Sequence, residues 1–577
     1  MNHAAQGGGF LFAKAGDSPV AAPERFSEDQ RLMLQTAHQF SREQVLPRAE
    51  DIEAKKAGVL RQLLKQAGEL GLLGVDIPER YGGLGLDKTT SMLVTEAMGA
   101  LGSWSVTFAA HTGIGMLPLA WFGTAEQKEK YLPSLVRGER VAAYALTEPG
   151  SGSDALAAKT RATRRPDGTG WVLNGSKLYI TNAAFADLFV VFAKVDGEHF
   201  TAFLVERGTP GLTVGPEEHK MGIRGSSTCP LFFEDAVIPE AAVLGEIGRG
   251  HRIAFNILNL GRLKLGLATV GAMKHQLAAA LRFAQERKQF GQALIRFGLI
   301  REKLATMVAL VYGVESMGYR TSGLIDAALR DAPEARLEAN TVMALEEFAI
   351  EASILKVAGS EALHRLTDEA VQLHGGAGFI EDYPVERAFR DQRINRIFEG
   401  TNEINRLLMV GMLLKRAAKG SLPLIPLAQV AQRELSAPTG PMESPSASAE
   451  ALKRVFAALV GYAHAARGPA LEQDQASMAA LADLLMDAFA MDAMVARTLA
   501  VKPPAEAQWA AVRWWRQEAH TRALARAQQV ICATLEGDAQ KRCLMEVGLA
   551  LPFVPDVPQT LRETLVTAAE ASQGYPF

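Results

Sequence analysis

The stretch Phe189-Val-Val-Phe-Ala-Lys-Val-Asp-Gly-Glu-His-Phe-Thr-Ala-Phe-Leu-Val205 contains two apolar runs joined by a turn. Aromatic and β-branched residues dominate both runs, and these residues favour β-strands. The Asp196-Gly197 pair between the runs is a strong hairpin signal. Similar runs follow one another through short turns over residues 141–250, without helical crossovers, so the sequence predicts a central antiparallel β domain there.

Helical apolar spacing flanks this β domain on both sides. Residues 27–140 predict an N-terminal helical domain, with a capping box at Thr124-Ala-Glu-Gln127. Residues 251–418 predict a second helical domain. The predicted fold class is therefore mainly α with a central antiparallel β domain, in the order α–β–α.

The two ends of the chain differ in composition from this α–β–α body. Residues 1–26 are rich in Gly and Ala and predict a disordered tail without a targeting signal. Several prolines and serines fall in 419–447, which predicts a linker. Residues 448–577 predict an extra helical domain, because Met478 to Leu499 is too apolar to form a one-sided surface helix.

Composition excludes several classes of function. The 577 residues exceed one ordinary core, and a formal net charge of −3 with interleaved signs offers no basic face for nucleic acid. The three cysteines, Cys229, Cys532 and Cys543, are too scattered for a disulfide framework or a metal site. No apolar run is clean enough to predict a membrane span, so a soluble protein is expected.

A single acid stands out in Arg396-Ile-Phe-Glu-Gly-Thr-Asn-Glu403. Glu399 lies between the apolar pair Ile397-Phe398 and Gly400, so loss of water should raise its pKa towards neutrality, as a general base requires. Gly400 lets a ligand approach the backbone closely. An exposed acid in an ordinary loop before a helix is the alternative interpretation of the octapeptide alone.

Four further motifs precede this octapeptide in the order found in acyl-CoA dehydrogenases. They are Tyr144–Asp154, Asn174–Asn182, Arg287–Gly291 and Gln372–Gly378. The chain resembles that family from residue 27 to about 415, and five ordered motifs are highly specific where one would be weak. It is most similar to the very-long-chain type, because Gly211–Gly245, Ile257–Arg262 and the long C-terminal region resemble that subgroup.

The resemblance implies FAD as the cofactor. No G-x-G-x-x-G motif follows a strand, so a Rossmann site is not expected. The family instead holds FAD in a cleft between the β domain and the C-terminal helices, completed by a second subunit. The positions that the resemblance assigns to FAD are Tyr144, Leu146, Thr147, Ser153, Tyr179, Thr181, Arg287, Phe290, Gln372, Leu373, Gly375, Gly376, Thr401 and Glu403.

The resemblance also implies the reaction, in which Glu399 removes the α proton of an acyl-CoA while the β carbon gives a hydride to FAD. Substrate-binding positions implied in this way are Ser153, Asn259, Arg262 and Gly400. A few relatives place the base at the position of Gly261, which cannot act as one here. Arg262 supports either the substrate or the Glu399 loop, and a structural salt bridge is an equal alternative.

Other expectations follow from the resemblance. The product is the trans-2-enoyl-CoA, and electrons pass to an electron-transfer flavoprotein; an acyl-CoA oxidase and a non-catalytic scaffold are the alternatives. Ser103 and Ser105 favour a long acyl chain unless Trp104 turns inward. The extra domain implies a homodimer. The expected location is the bacterial cytoplasm, or the mitochondrial matrix in a eukaryote. The linker is apolar and flanked by basic residues, so weak peripheral membrane contact is left open.

Overall fold

The computed structural model describes residues 5–17, 20–333, 336–441, 444–552 and 556–577. The N-terminal domain is helical, as predicted. Thr124 caps its last helix, and the reciprocal bonds between Thr124 and Gln127 form the predicted capping box. Its helices are α1 (Glu28–Phe40), α2 (Ala49–Glu53), α3 (Val59–Glu69), α4 (Lys88–Ala97), α5 (Gly102–Ala109), α6 (Leu117–Phe122) and α7 (Ala125–Val136).

The middle domain is one eight-stranded sheet in the order β6-β7-β3-β2-β4-β5-β8, with β1 also paired to β4. Its strands are β1 (Ala142–Ala145), β2 (Arg161–Arg164), β3 (Gly170–Thr181), β4 (Leu188–Val195), β5 (His199–Glu206), β6 (Leu212–Val214), β7 (Thr228–Pro239) and β8 (Val243–Leu244). The predicted hairpin is β4–β5, closed with positive φ at Asp196 and Gly197.

Pairing within this sheet is mainly antiparallel, but β1 and β2 both run parallel to β4. A long loop over residues 146–160 joins β1 to β2, where a tight turn would have reversed the chain. That loop carries the Tyr144–Asp154 motif. The parallel pairings therefore arise where the chain leaves the hairpin pattern to build a site.

The second helical domain is organised around the long helix α8. Its elements are α8 (Gly250–Glu286), β9 (Lys288–Gln289), β10 (Gln292–Ala293), α9 (Gly298–Leu329), α10 (Leu337–Glu347), α11 (Ala349–His374), α12 (Pro384–Gln392) and α13 (Asn402–Ala418). Helix α8 is long and apolar enough to cross a membrane, but most of its apolar part is buried inside the protein. It is the core helix against which α4, α9 and α11 pack.

The C-terminal region adds six helices among the described residues. They are α14 (Leu424–Arg433), α15 (Pro445–Arg467), α16 (Gln475–Ala500), α17 (Glu506–Thr534), α18 (Gly537–Ala550) and α19 (Pro558–Ser572). Helix α14 lies inside the segment expected to be a linker and buries Leu424 and Ala428. The helix forms because Pro426 falls in its first turn, where the missing N–H has no helical partner to lose.

Residues 5–17, expected to be part of a disordered tail, are ordered and form what we call the N-terminal strap. Phe10 and Leu11 are buried, and the Phe10 ring packs 4.9 Å from that of Phe489 in α16. The N–H groups of Gly7 and Gly8 donate to Glu347 and Glu351 at 2.8 and 2.6 Å. The Gly-rich composition suggested disorder, but the apolar Phe10-Leu-Phe12 segment supplies enough buried surface to fix it.

The extra helical domain docks on the second helical domain through buried charges as well as apolar packing. Arg497 of α16 donates to Glu315 of α9 at 2.6 Å, and both side chains are fully buried. Arg320 of α9 pairs with Asp492 of α16. Buried pairs of this kind are costly to break on one side, so these helices form a continuous core with the α–β–α body.

Candidate active site

Glu399 lies in the short loop between α12 and α13 and is buried against α8. A Cβ placed on Gly261 would come within 2.3 Å of the Glu399 Oε2 atom, so the carboxylate lies directly on this glycine. Both residues line one cavity that runs between α5, α8, α11 and α12. The absence of a side chain at 261 is therefore what makes room for the acid.

The backbone of the Glu399 loop is held in a specific conformation. Glu399 has a φ of +59°, which an L-residue adopts only when its surroundings impose it. Arg262 Nε donates to the Glu399 carbonyl at 3.2 Å, and Lys356 Nζ donates to the Gly400 carbonyl at 2.7 Å. Asn405 Nδ2 also donates to Gly400 at 2.8 Å. These donors fix the direction in which the carboxylate points.

Burial controls the proton affinity of Glu399. Removal of the carboxylate from water raises its pKa to about 7, and the positive charges of Arg262 and Lys356 oppose that rise only in part. Burial also lowers the pKa of Lys356 to about 8. An acid that titrates near neutral pH is suited to take a proton and release it again.

The free face of the carboxylate is directed at the cavity and the β domain. Glu399 Oε2 is buried and has no hydrogen-bond partner within the described part of the chain, and the same holds for the hydroxyl of Tyr144. The pKa of Tyr144 lies well above its usual value because of burial and the Glu399 charge. Two polar atoms are thus left for a ligand between β1 and Glu399.

The cavity continues away from Glu399 along one face of α8. Many of its lining residues are small or apolar, which suits an alkyl chain, and the polar residues on the α8 side are Lys264, Thr269, His275 and Gln276. Its α8 lining is Gly261, Lys264, Leu265, Ala268, Thr269, Ala272, His275 and Gln276. At ~1.5 Å per helical residue this face is roughly 22 Å long, and spanning it requires at least about 15 carbon–carbon bonds of ~1.5 Å each.

Only one of the two α5 serines expected to leave room for an acyl chain lines this cavity. Ser105 lines it, whereas Ser103 instead bonds Glu53 and the Gly225 N–H. Trp104 is fully buried, packs between the rings of Phe40 and Phe108, and directs its Nε1 to Met98. The indole therefore turns away from the cavity.

The β-domain positions assigned to FAD lie in and around β1 and β3. Thr181 lines the same cavity as Glu399, and Tyr144 of β1 is close enough to Glu399 for that charge to raise its pKa. Tyr179 is 61% exposed and has a φ of +59°, at an irregularity of β3 that turns its ring outward from the sheet. Ser153 and Thr147 follow β1 in the adjoining loop, with Ser153 exposed, whereas Leu146 is buried.

A second group of predicted positions lies at the opposite end of α8. Arg287 and Phe290 form the exposed β9–β10 hairpin, with Phe290 93% exposed. Gln372, Gly375 and Gly376 are exposed at the end of α11, and Leu373 is buried. The Phe283 and His374 rings stack 4.1 Å apart there, about 33 Å along α8 from Gly261. Within one chain, these residues therefore lie far from Glu399.

The remaining predicted residues have structural partners. Thr401 caps α13 by accepting the Ile404 N–H at 3.2 Å, and Glu403 is exposed in the first turn of that helix. Asn259 accepts a bond from Arg262 at 2.9 Å. Arg262 therefore contacts the Glu399 loop and Asn259 in this structure.

Lys356 and Asn405 were not predicted from the sequence as parts of the site. Lys356 stands alone in the apolar run Ile354-Leu-Lys-Val357, and a buried lysine in such a run needs acceptors. It finds them in the Gly400 carbonyl and in Asn402 Oδ1, both at 2.7 Å. The apolar run was the only signal that could have revealed it.

This fold and site match a known class of oxidoreductase. Three family models cover the body: the N-terminal domain of acyl-CoA dehydrogenase at residues 27–139, the middle domain at 143–236 and the C-terminal domain at 248–414. A further acyl-CoA dehydrogenase C-terminal domain matches residues 451–548. The chain belongs to the acyl-CoA dehydrogenase family.

Individual relatives agree with this. A probable acyl-CoA dehydrogenase of Bacillus subtilis is 44% identical over 98% of both chains. The human mitochondrial very long-chain specific acyl-CoA dehydrogenase is 46% identical over 59% of this chain and 51% of its own length. A crystal structure of an acyl-CoA dehydrogenase complexed with FAD from Bacillus anthracis is 44% identical, with a TM-score of 0.95 over 99% of both chains.

A shorter relative marks the limit of the common body. The butyryl-CoA dehydrogenase of Megasphaera elsdenii is 35% identical, with a TM-score of 0.61 over 68% of this chain and 99% of its own. The family is FAD-dependent, and the residues here fit that cofactor, since the unpaired Tyr144 hydroxyl lies near Glu399, Thr181 lines the cavity and the Tyr179 ring is exposed on β3. The protein is an enzyme with FAD as its cofactor.

Proposed function

We propose that this enzyme converts a long-chain acyl-CoA to its trans-2-enoyl-CoA, with Glu399 as the base. The observation that carries the proposal is the Glu399 carboxylate, which is buried on Gly261 at the head of a long apolar cavity and has a pKa of about 7. Walls of small residues along a roughly 22 Å helix face support a long substrate.

The residues of the chain supply orientation and proton transfer. Arg262, Lys356 and Asn405 hold the loop so that the carboxylate faces the cavity, where it removes a proton from the α carbon of the thioester. The electron pair of that C–H bond forms the double bond as the β carbon loses hydride. Bound FAD supplies the two-electron acceptor for that hydride.

A second copy of the chain completes the site in this proposal. Arg287, Phe290, Gln372 and Gly376 are exposed at the end of α8 far from Glu399, so they serve the FAD of a partner in a homodimer. Their exposed backbone and guanidinium suit a diphosphate. The electrons then pass to an electron-transfer flavoprotein, and the enzyme works in the bacterial cytoplasm.

Anaerobic flavin bleaching by acyl-CoA tests this proposal. The FAD-loaded protein should lose its yellow absorbance on addition of hexadecanoyl-CoA, faster than with butanoyl-CoA. Glu399→Gln should retain FAD but bleach about 10²–10⁴-fold more slowly, because the amide cannot accept the proton. Glu129→Gln, at an exposed position of α7 outside the cavity, is the matched control and should bleach at the normal rate.

Three results would contradict parts of the proposal. Near-normal bleaching of Glu399→Gln would show that another group takes the proton. Faster reaction with short acyl chains would remove the long-chain assignment. Peroxide formation at the rate of turnover in air, with no reduction of an electron-transfer flavoprotein, would favour an oxidase instead.

A further inference from the structure

The far end of the acyl cavity is polar, unlike its middle. Gln276 of α8 and Gln392 of α12 both line this cavity, and each of the two residues is only 3% exposed. Leu363, Ala268 and Ala272 form the apolar walls between them and Glu399. A cavity that served only an alkyl chain would gain nothing from two buried carboxamides at its end.

Both carboxamides leave a carbonyl oxygen without a donor. Gln392 Nε2 donates to the Phe389 carbonyl at 3.0 Å and contacts His364 Nδ1 at 2.9 Å, which fixes its amide and leaves Oε1 as the free atom. In the described parts of the chain no group donates to Gln392 Oε1 or to Gln276 Oε1. Buried acceptors are normally paired, so each of these oxygens suits a donor from a ligand.

Neighbouring helices place these oxygens at the end opposite Glu399. Gly359 of α11 faces Thr269 of α8, and His374 of α11 stacks on Phe283 of α8, so the two helices run in the same direction. Thr367, which also lines the cavity, therefore lies level with Gln276. Gln392 contacts His364, one turn nearer to Glu399.

We propose that this end of the cavity recognises a hydroxyl group at the ω end of a long acyl chain, an inference that rests on the proposed function. A hydroxyl has one O–H donor, which pairs with either Gln276 Oε1 or Gln392 Oε1. A carboxylate only accepts hydrogen bonds, so it offers neither oxygen a donor. An ammonium group would carry a charge that is costly to bury. No bond of the hydroxyl group is formed or broken in the reaction. Dehydrogenation at the thioester end of the acyl chain is the same as for an unsubstituted acyl-CoA.

Competition between matched substrates tests the inference. The holoenzyme should show a higher kcat/KM for 16-hydroxyhexadecanoyl-CoA than for hexadecanoyl-CoA, and a lower value for the 16-carboxy compound. Gln276→Leu keeps the side-chain size but removes the acceptor, so the hydroxy-to-unsubstituted ratio should fall about three- to tenfold. Gln392→Leu should lower the same ratio. Gln528→Leu, at an exposed position of α17, is the control and should leave it unchanged.

The unsubstituted substrate separates this inference from the proposed function. Turnover of hexadecanoyl-CoA by the natural protein tests the proposed function alone, because this substrate has no ω-hydroxyl. A ratio below one in the natural protein that stays unchanged in Gln276→Leu would overturn the inference and leave the dehydrogenase assignment intact. Failure of every acyl-CoA to react would instead contradict the proposed function.

Discussion

At the scale of single residues, the site depends on a contact between an acid and a glycine. Glu399 could be identified from its octapeptide, because apolar neighbours on one side and Gly400 on the other predict a desolvated acid. Gly261 had been excluded as a base, but its contact with the Glu399 carboxylate could not be foreseen. The two residues are far apart in the chain, and only packing of the loop on α8 brings them together.

Gly261→Ala should impair catalysis while leaving the fold intact. The new Cβ would lie 2.3 Å from Glu399 Oε2, and the flexible carboxylate would move instead of the helix. A misplacement of this size costs about 10²-fold in rate. The measurement is the rate of flavin bleaching together with the Tm. Gly411→Ala in α13 is the control, because the nearest atom to its Cβ is 3.9 Å away and should permit full activity.

The pH dependence of bleaching should report Glu399. Its pKa is raised to about 7 by burial, so the acid is protonated and inactive below that pH and ionised above it. The rate constant with hexadecanoyl-CoA should therefore rise from pH 6 to pH 8 with a midpoint near 7. Stopped-flow absorbance measures it. A rate independent of pH across this range would argue against Glu399 as the titrating base.

At the scale of elements, the N-terminal strap shows how composition can mislead. Its glycines suggested disorder, yet two of them allow close backbone approach. A Cβ on Gly7 would lie 2.0 Å from the Glu347 carbonyl, and one on Gly8 would lie 2.5 Å from Leu413. Lys453 Nζ of α15 also donates a hydrogen bond to the Ala13 carbonyl of the strap at 2.9 Å. It therefore joins α10, α11 and the extra domain.

Phe10→Ala should destabilise the protein without changing the site. Phe10 is 3% exposed and packs on Phe489, and removal of a buried phenylalanine side chain costs about 3–5 kcal/mol. Denaturant unfolding followed by tryptophan fluorescence measures the change. Leu32→Ala in α1 is the control, because Leu32 is 62% exposed and should cost less than about 0.5 kcal/mol. Equal stability of the two variants would show that the strap contributes little.

At the scale of the whole molecule, the extra domain covers α9 and α13 and shields them from solvent. Helix α16 packs on both, and it carries the partners of Glu315 and Arg320. The sequence predicted that Met478 to Leu499 must be buried, and the structure confirms it. What covers it is the α–β–α body of the same chain.

Deletion of residues 448–577 should leave the remaining protein aggregated. It would expose the apolar faces of α9 and α13 and remove Arg497 and Asp492, which leaves buried Glu315 and Arg320 without these partners. Light scattering compares the two forms, and we expect a homodimer for the full chain. A full-length tetramer would contradict the dimer, and a soluble dimeric truncation would contradict the packing account.

The sequence by itself determined the class of fold and the family, and it predicted Glu399 as the base. Periodicities of two and of about 3.6 residues separate the β domain from the helices, and the Glu399 octapeptide carries its own desolvating neighbours. These are local properties of the chain. The tertiary structure decided the parallel pairings of β1 and β2, the ordered strap, the Gly261 contact and the polar end of the cavity. Each of these depends on which distant segments meet, and burial and hydrogen bonding between such segments are not encoded in any one stretch of sequence.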